Sequence, residues 1–411
     1  MHLVRKDRQH LFKESLARLR KGLGRRVVLT VGSVILATLT IAFISGCGGN
    51  SELPTASSTA STATSVPATS PTSAPATSAA ATGASVTATP ALAGSLNGAG
   101  ATFPEPLYVE WIGEFQSIHP GVTINYQGIG SGGGIEQFSK LTVDFGASDA
   151  PMKDEEIAKA EQASGAKVLH IPTVMGAVVL VYNLPNVEEL KLDPDTIAGI
   201  FLGEITKWND ARLAALNPGV ALPDKTIQVV HRSDSSGTTN IFTGYLTQVS
   251  KEWADKVGKG KEVDWPVGLG GQGNDGVAAV VQQQASSIGY VELSYALESG
   301  LKMATLKNKA GNFVTPGLQS TSAAAEGVTF PADLRFSLSN SAGPQAYPIV
   351  GATWILAYDK MKDPAKAEIL KAWLNWALTE GSPLAEELKY APLSEELRKL
   401  ALEKVAAISA F

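Results

Sequence analysis

The side chains best suited to chemistry in this chain cluster in four short stretches. They are Leu96-Asn-Gly-Ala-Gly-Ala-Thr-Phe-Pro-Glu-Pro106, Tyr126-Gln-Gly-Ile-Gly-Ser-Gly-Gly-Gly134, Val143-Asp-Phe-Gly-Ala-Ser-Asp-Ala-Pro151 and Val229-Val-His-Arg-Ser-Asp-Ser-Ser-Gly-Thr-Thr239. Three of them place Ser, Thr or Gly where a helix should begin, and a helix start offers unpaired N–H donors and a partial positive charge to an anion. In the first, Gly98 and Gly100 permit a tight turn and the prolines suit a first helical turn. That places Thr102 and Phe103 at a helix N-terminus, with the Thr102 hydroxyl as a further donor and Ala101 beside them as a further expected anion contact. In the second, Ser131 opens the helix expected over 135–141. In the last, Ser236, Gly237 and Thr238 open a helix continuing through Ile241, Phe242, Tyr245 and Leu246.

Three charged residues complete the set. Arg232 has a planar fork able to hold two oxyanion oxygens, and Asp234, two residues on, is placed to orient that guanidinium. Asp149 ends a strand and precedes a helix whose first turn holds Asp154, Glu155 and Glu156. A pre-helical Asp commonly caps its helix. Facing an anion instead, an ionised Asp149 is repulsive unless the ligand brings a proton to a hydrogen bond between them. Phosphate near neutral pH carries one or two protons and sulfate none, so Asp149 would admit the first and reject the second.

Other chemistries fit less well. Gly128-Ile-Gly-Ser-Gly-Gly133, with Asp149 some twenty residues on, matches a dinucleotide fingerprint, but the export signal described below argues against a dinucleotide. A hydrolase needs a nucleophile, a base and an orienting group. Only His119, His170 and His231 lie beyond residue 26, and Ser131 has Ile129 where a nucleophile elbow needs Gly. No spacing of carboxylates and histidines suggests a metal site. The residues point to a binding protein without turnover, metal or cofactor.

The N-terminal region speaks to location. Residues 1–26 carry nine Lys/Arg against Asp7 and Glu14, and the eighteen residues Val27 to Ile44 carry no charge. This is the pattern of an export signal, long enough also for a membrane span. Ile44-Ser-Gly-Cys47 resembles the lipobox of bacterial lipoproteins, which implies cleavage before Cys47 and its acylation. Cys47 is the only cysteine, so no intramolecular disulfide can form. From 50 to 92 the chain is nearly all Ser, Thr, Ala and Pro, a composition that cannot bury a core. It is a tether with a reach on the order of 35–40 Å. Without the first 46 residues the chain has 25 basic and 37 acidic side chains, a net charge of −12. That balance excludes nucleic acid as a partner, and an anion must be held by local donors against the overall field.

The elements that must position these residues follow an alternating pattern. Strand-like runs at Val122–Tyr126, Val143–Ala147, Ala177–Tyr182, Ile227–Val230, Ile288–Val291 and Trp354–Ala357 are separated by amphipathic segments such as Pro106–Ile118. This predicts an α/β fold with largely parallel sheets, and the roughly 320 residues from Gly94 suggest two domains.

Gly98-Ala-Gly-Ala-Thr-Phe-Pro, Tyr126-Gln-Gly-Ile-Gly-Ser, Val143-Asp-Phe-Gly-Ala-Ser-Asp-Ala-Pro and Ser235-Ser-Gly-Thr, with Trp265 to Gly276 and Ile288-Gly-Tyr-Val-Glu292, resemble the phosphate-binding proteins of bacterial high-affinity phosphate ABC importers. The resemblance covers Gly94 to the C-terminus. It implies a two-domain periplasmic-binding-protein (class II) fold with ligand in the cleft between 94–171 plus 348–411 and 172–347. The crossings would lie near Pro172 and Pro348. The family's ligand contacts match Thr102, Phe103, Ser131, Asp149, Arg232, Ser236, Gly237 and Thr238; His231 departs from its pattern and receives no role. The implied protein is a monomeric, lipid-anchored extracytoplasmic receptor, tied to the membrane through Cys47, that delivers inorganic phosphate to the membrane subunits of an importer. A binder of sulfate, molybdate or arsenate on the same fold, and a phosphate sensor serving no transporter, share these sequence features.

Overall fold

A computed structural model describes residues 92–411; the basic N-terminus, the apolar segment, Cys47 and the tether as far as residue 91 lie outside the described residues. The chain begins with β1 (Gly94–Gly100), α1 (Glu105–Ile118), β2 (Val122–Gly128), α2 (Ser131–Ser139), β3 (Phe145–Ser148) and α3 (Asp154–Ser164). It continues through β4 (Val168–Tyr182), β5 (Gln228–Arg232), α4 (Gly237–Val249), β6 (Leu269–Gly271), α5 (Gly273–Gln283), β7 (Ser287–Glu292) and α6 (Leu293–Glu298). Towards the C-terminus come β8 (Val350–Tyr358) and α7 (Pro364–Leu378), with shorter elements in the intervals.

These elements follow from local pattern. In α1, Leu107, Trp111 and Phe115 recur every four residues and are buried, and a Pro in the first turn starts the helix where an N–H has no partner. Thirteen consecutive residues of β4 and all nine of β8 are buried, as expected of strands covered on both faces.

The principal sheet has the order β2-β1-β3-β8-β4-β7-β5-β6. Its outer pairs are parallel: β1 with β2 and β3, and β5 with β6 and β7. The central pairs β3–β8, β8–β4 and β4–β7 are antiparallel. The expectation of largely parallel sheets therefore holds only for the flanks. Helical crossovers join the flanking strands and impose parallel pairing. The central strands carry the chain from one flank to the other. β4 spans both: residues 168–177 pair with β8 and residues 178–182 with β7.

Two local expectations are also corrected. Gly98 makes no turn; it lies inside β1, where an added Cβ would come within 2.1 Å of the Phe145 ring. The strand expected over 143–147 begins at Phe145, and Asp144 instead accepts from the Asn97 N–H at 2.8 Å and from Lys366 Nζ at 2.8 Å. Among the described residues no helix is long and apolar enough to cross a membrane.

Candidate anion-binding site

The C-terminal ends of β1, β3 and β5 meet the N-termini of α2 and α4, and the residues singled out above converge there. Helix α1 starts at Glu105 with Pro104 as its cap, so Thr102 and Phe103 form the turn just before it. Ser131 is the first residue of α2, and Ser236 caps α4, its Oγ accepting the Thr239 N–H at 3.1 Å. Thr102, Ser131, Asp149, Arg232, Ser236 and Thr238 are all at most 4% exposed.

The two halves touch directly. A Cβ on Gly237 would lie 2.4 Å from Ser131 Oγ and 2.6 Å from Asp149 Cβ, so only glycine permits this approach. The Gly132 N–H donates to Ser235 O at 2.9 Å. Asn274, at the start of α5, donates through Nδ2 to Thr102 Oγ1 at 2.9 Å and to Thr238 Oγ1 at 3.3 Å, while its Oδ1 accepts the Glu292 N–H at 3.0 Å.

The hydrogen-bond directions make this a donor site. Thr102 Oγ1 accepts from Asn274, Thr238 Oγ1 accepts from Asn274 and from Arg232 Nη1 at 3.4 Å, and Ser236 Oγ accepts from Thr239. With protein donors on their lone pairs, these hydroxyls keep their own protons for a ligand. The N–H groups of Gly237 and Thr238 are the first two of α4, free by position, and those of Thr102 and Phe103 likewise meet no acceptor in the protein. Ala101 is the exception among the expected contacts. Its N–H donates to Ala147 O at 3.0 Å and its carbonyl accepts from Tyr126, so it retains no free donor.

Two carboxylates set the electrostatics. Asp234 grips Arg232 in a bidentate pair, Nε to Oδ1 at 2.7 Å and Nη2 to Oδ2 at 2.5 Å, and also accepts the Gly273 N–H at 3.1 Å. Burial works against the ionised Asp234, but the Arg232 hydrogen bonds and charge outweigh it and hold its pKa below the usual range. The guanidinium is thereby fixed in orientation, with Nη1 turned towards Thr238.

Asp149 is the opposite case. It caps no helix, because α3 is capped by Lys153. Its backbone N–H donates to Ser131 Oγ at 3.1 Å, Ser131 Oγ reaches Oδ2 at 3.4 Å, and Oδ1 has no partner. Desolvation pushes its pKa up to about 7, against the lowering influence of the Thr353 hydroxyl, the Arg232 charge and Ser131. Thr353 Oγ1 is itself buried without a hydrogen-bond partner. A buried acceptor left open among so many donors can take a ligand carrying both negative charge and a proton.

His231 lies outside this constellation: its ring stacks on Trp265, centroids 4.8 Å apart, and its Nδ1 is 3.0 Å from Arg232 O. Sequence reasoning missed Asn274, although Gly271-Gln-Gly-Asn-Asp-Gly276 repeats the glycine-rich helix start seen at Ser131. Among the described residues no cluster of three or more His, Cys, Asp or Glu is arranged to hold a metal ion.

An open-ended α/β sheet whose strand ends and helix N-termini enclose a buried donor site defines a solute-binding protein, and a sequence profile for the PBP superfamily domain matches residues 69–380. The chain belongs to that superfamily. Within it, the chain is a member of the PstS family. It is 44% identical over 317 residues to the phosphate-binding protein PstS of Pasteurella multocida, covering 76% of this chain and 90% of the relative. It is 43% identical over 333 residues to the phosphate-binding protein PstS of Methanocaldococcus jannaschii, covering 75% and 85%. Two solved structures share the fold. The ancestral soluble variant of the human phosphate-binding protein is 20% identical, with a TM-score of 0.63 and coverage of 77% of this chain and 98% of that one. The phosphate-binding protein of Stenotrophomonas maltophilia is 20% identical, with a TM-score of 0.58 and coverage of 76% and 94%.

Proposed function

We propose that this chain is an extracytoplasmic receptor that binds inorganic phosphate and delivers it to the membrane subunits of an ABC-type importer, without catalysing a reaction. The observation that carries the ligand assignment is a buried, unpartnered acceptor, Asp149 Oδ1, in the same site as hydroxyls whose lone pairs are already taken by protein donors. Protonated phosphate satisfies both sides: its O–H meets Asp149, and its other oxygens meet Arg232, Ser131, Thr102, Ser236, Thr238 and the free N–H groups of Phe103 and Gly237. Sulfate and molybdate satisfy only the donors. Delivery to an importer is supported by the PstS relationship.

Residues 94–171 with 348–411 form one lobe and 172–347 the other. The change of partners along β4, between Ala177 and Val178, supports a hinge within a few residues of that boundary. Cys47 is the acylated residue that anchors a monomeric receptor to the membrane, and the Ser/Thr/Ala/Pro segment gives it reach.

The test is calorimetric titration of the fragment from Gly94 onward, unfolded and refolded to strip bound ligand, with phosphate and separately with sulfate. Phosphate should bind tightly and sulfate should not compete at pH 8. Folded, stripped protein that binds neither anion, or both equally, would overturn the assignment.

A further inference from the structure

Three consecutive carbonyls in the loop before α1 are each held by a tyrosine hydroxyl. Tyr126 donates to Ala101 O at 2.6 Å, Tyr295 to Thr102 O at 2.5 Å and Tyr390 to Phe103 O at 2.7 Å. The tyrosines come from widely separated places: the strand β2, the helix α6, and the segment just before the short strand Ala391–Pro392. Tyr390 is fully buried and Tyr295 is 8% exposed. Tyr390 Oη also lies 2.8 Å from Ser294 Oγ, which bonds the buried Glu292 carboxylate.

In a trans peptide the C=O and the following N–H point in opposite directions across one plane. Holding Ala101 O therefore aims the Thr102 N–H away from Tyr126, and holding Thr102 O aims the Phe103 N–H away from Tyr295. The residue after Phe103 is Pro104, which has no N–H, so the third bond adds no donor and instead fixes the plane from which α1 departs. The two N–H groups whose planes are fixed this way are the two in the loop that meet no acceptor in the protein. We infer that Tyr126, Tyr295 and Tyr390 are positioning residues that preorganise the Thr102 and Phe103 N–H groups for the anion. On the lobe division proposed above, Tyr295 belongs to 172–347 and Thr102 to the other lobe, so this bond crosses from one to the other. The inference rests on the anion-receptor reading given above.

The experiment compares Tyr126→Phe, Tyr295→Phe and Tyr390→Phe with a control, Tyr358→Phe, which removes a tyrosine-to-carbonyl bond 3.1 Å long to Phe138 O, outside the 101–103 loop. Each change deletes only a hydroxyl and keeps the ring. Phosphate affinity by calorimetry should fall about tenfold for Tyr126→Phe and for Tyr295→Phe, by less for Tyr390→Phe, and within twofold for the control. Amide exchange at Thr102 and Phe103 in the phosphate-saturated protein should accelerate in Tyr126→Phe and Tyr295→Phe, and not in the control. A merely structural role would move melting temperature in all four variants alike and leave those two amides protected. Folded Tyr126→Phe and Tyr295→Phe proteins that bind phosphate within twofold of the parent would overturn the inference. A parent that binds no phosphate would instead overturn the receptor reading, and Thr102 and Phe103 exchange with the anion it does bind would then decide the brace.

Discussion

If Asp149 selects ligands by demanding a proton, sulfate binding should depend steeply on pH. Burial places the Asp149 pKa near 7 in the ligand-free protein. About half of the molecules then carry a neutral carboxyl at pH 7, and on the order of one in a hundred at pH 9. Sulfate brings no proton, so it can bind well only to the neutral form, where the carboxyl O–H donates to it. Its apparent affinity is its intrinsic affinity scaled by that fraction. From pH 6 to pH 9 the affinity for sulfate should fall about a hundredfold, with most of the drop above pH 7. Phosphate carries its own proton to an ionised Asp149, so between pH 7 and 9 its affinity should change by less than about tenfold.

Asp149→Asn removes the titrating group while keeping size and an acceptor oxygen. In that variant sulfate binding should be flat across the same range. Phosphate binding should weaken by about tenfold or more, because a charge-assisted hydrogen bond becomes a neutral one. The assay is calorimetry on refolded, ligand-stripped protein at pH 6, 7, 8 and 9. A sulfate affinity independent of pH in the parent, or a slope that persists in Asp149→Asn, would refute the proton-reading account of this site.

Other perturbations test the remaining parts. Arg232→Lys keeps the charge but loses the fork that grips Asp234 and reaches Thr238. Phosphate affinity should drop about a hundredfold by calorimetry. Gly237→Ala pushes a methyl to within 2.4 Å of Ser131 Oγ, and the overpacking should weaken phosphate by about ten- to a hundredfold in the same titration. Stability should also vary with pH in the ligand-free protein. Burial raises Glu292 to about 8 and Asp149 to about 7, so the native state holds more protons than the unfolded chain, and stability falls as pH rises towards those values. His170, lowered to about 4 by burial, has the opposite slope, but only below about 6.5. Between pH 6.5 and 8 denaturant titration should therefore show a loss of roughly 2 kcal/mol, and Glu292→Gln should remove most of it.

Most of the donor set was legible because helix starts write their chemistry locally. Ser131 and Ser236 announce themselves by a hydroxyl beside glycine at a strand-to-helix junction, and the pairing of Arg232 with Asp234 spans two residues. The alternation of strands and helices was equally plain, since it depends on the period of buried positions. What misled was the meaning of glycine. Gly98 signals a turn by composition, yet it serves packing against Phe145, a residue on another strand. The central antiparallel strands also escaped notice. Strand direction depends on where a chain re-enters the sheet, and a continuous apolar run such as β4 looks the same in either orientation.

Asn274, Tyr295 and Tyr390 were illegible for a more general reason. Each acts on the 102–103 loop from 172, 193 and 287 residues away. A residue that donates to the ligand must sit at a backbone feature able to present it, and that feature leaves a mark in neighbouring sequence. An orienting residue needs only a hydroxyl or amide at the right point in space, which any element passing nearby can supply. The donors are thus constrained by local geometry and their supports by topology alone. On the proposed reading the supports bear on affinity too, because a donor free to rotate must give up that freedom on binding, whereas one already held by Asn274 or a tyrosine does not.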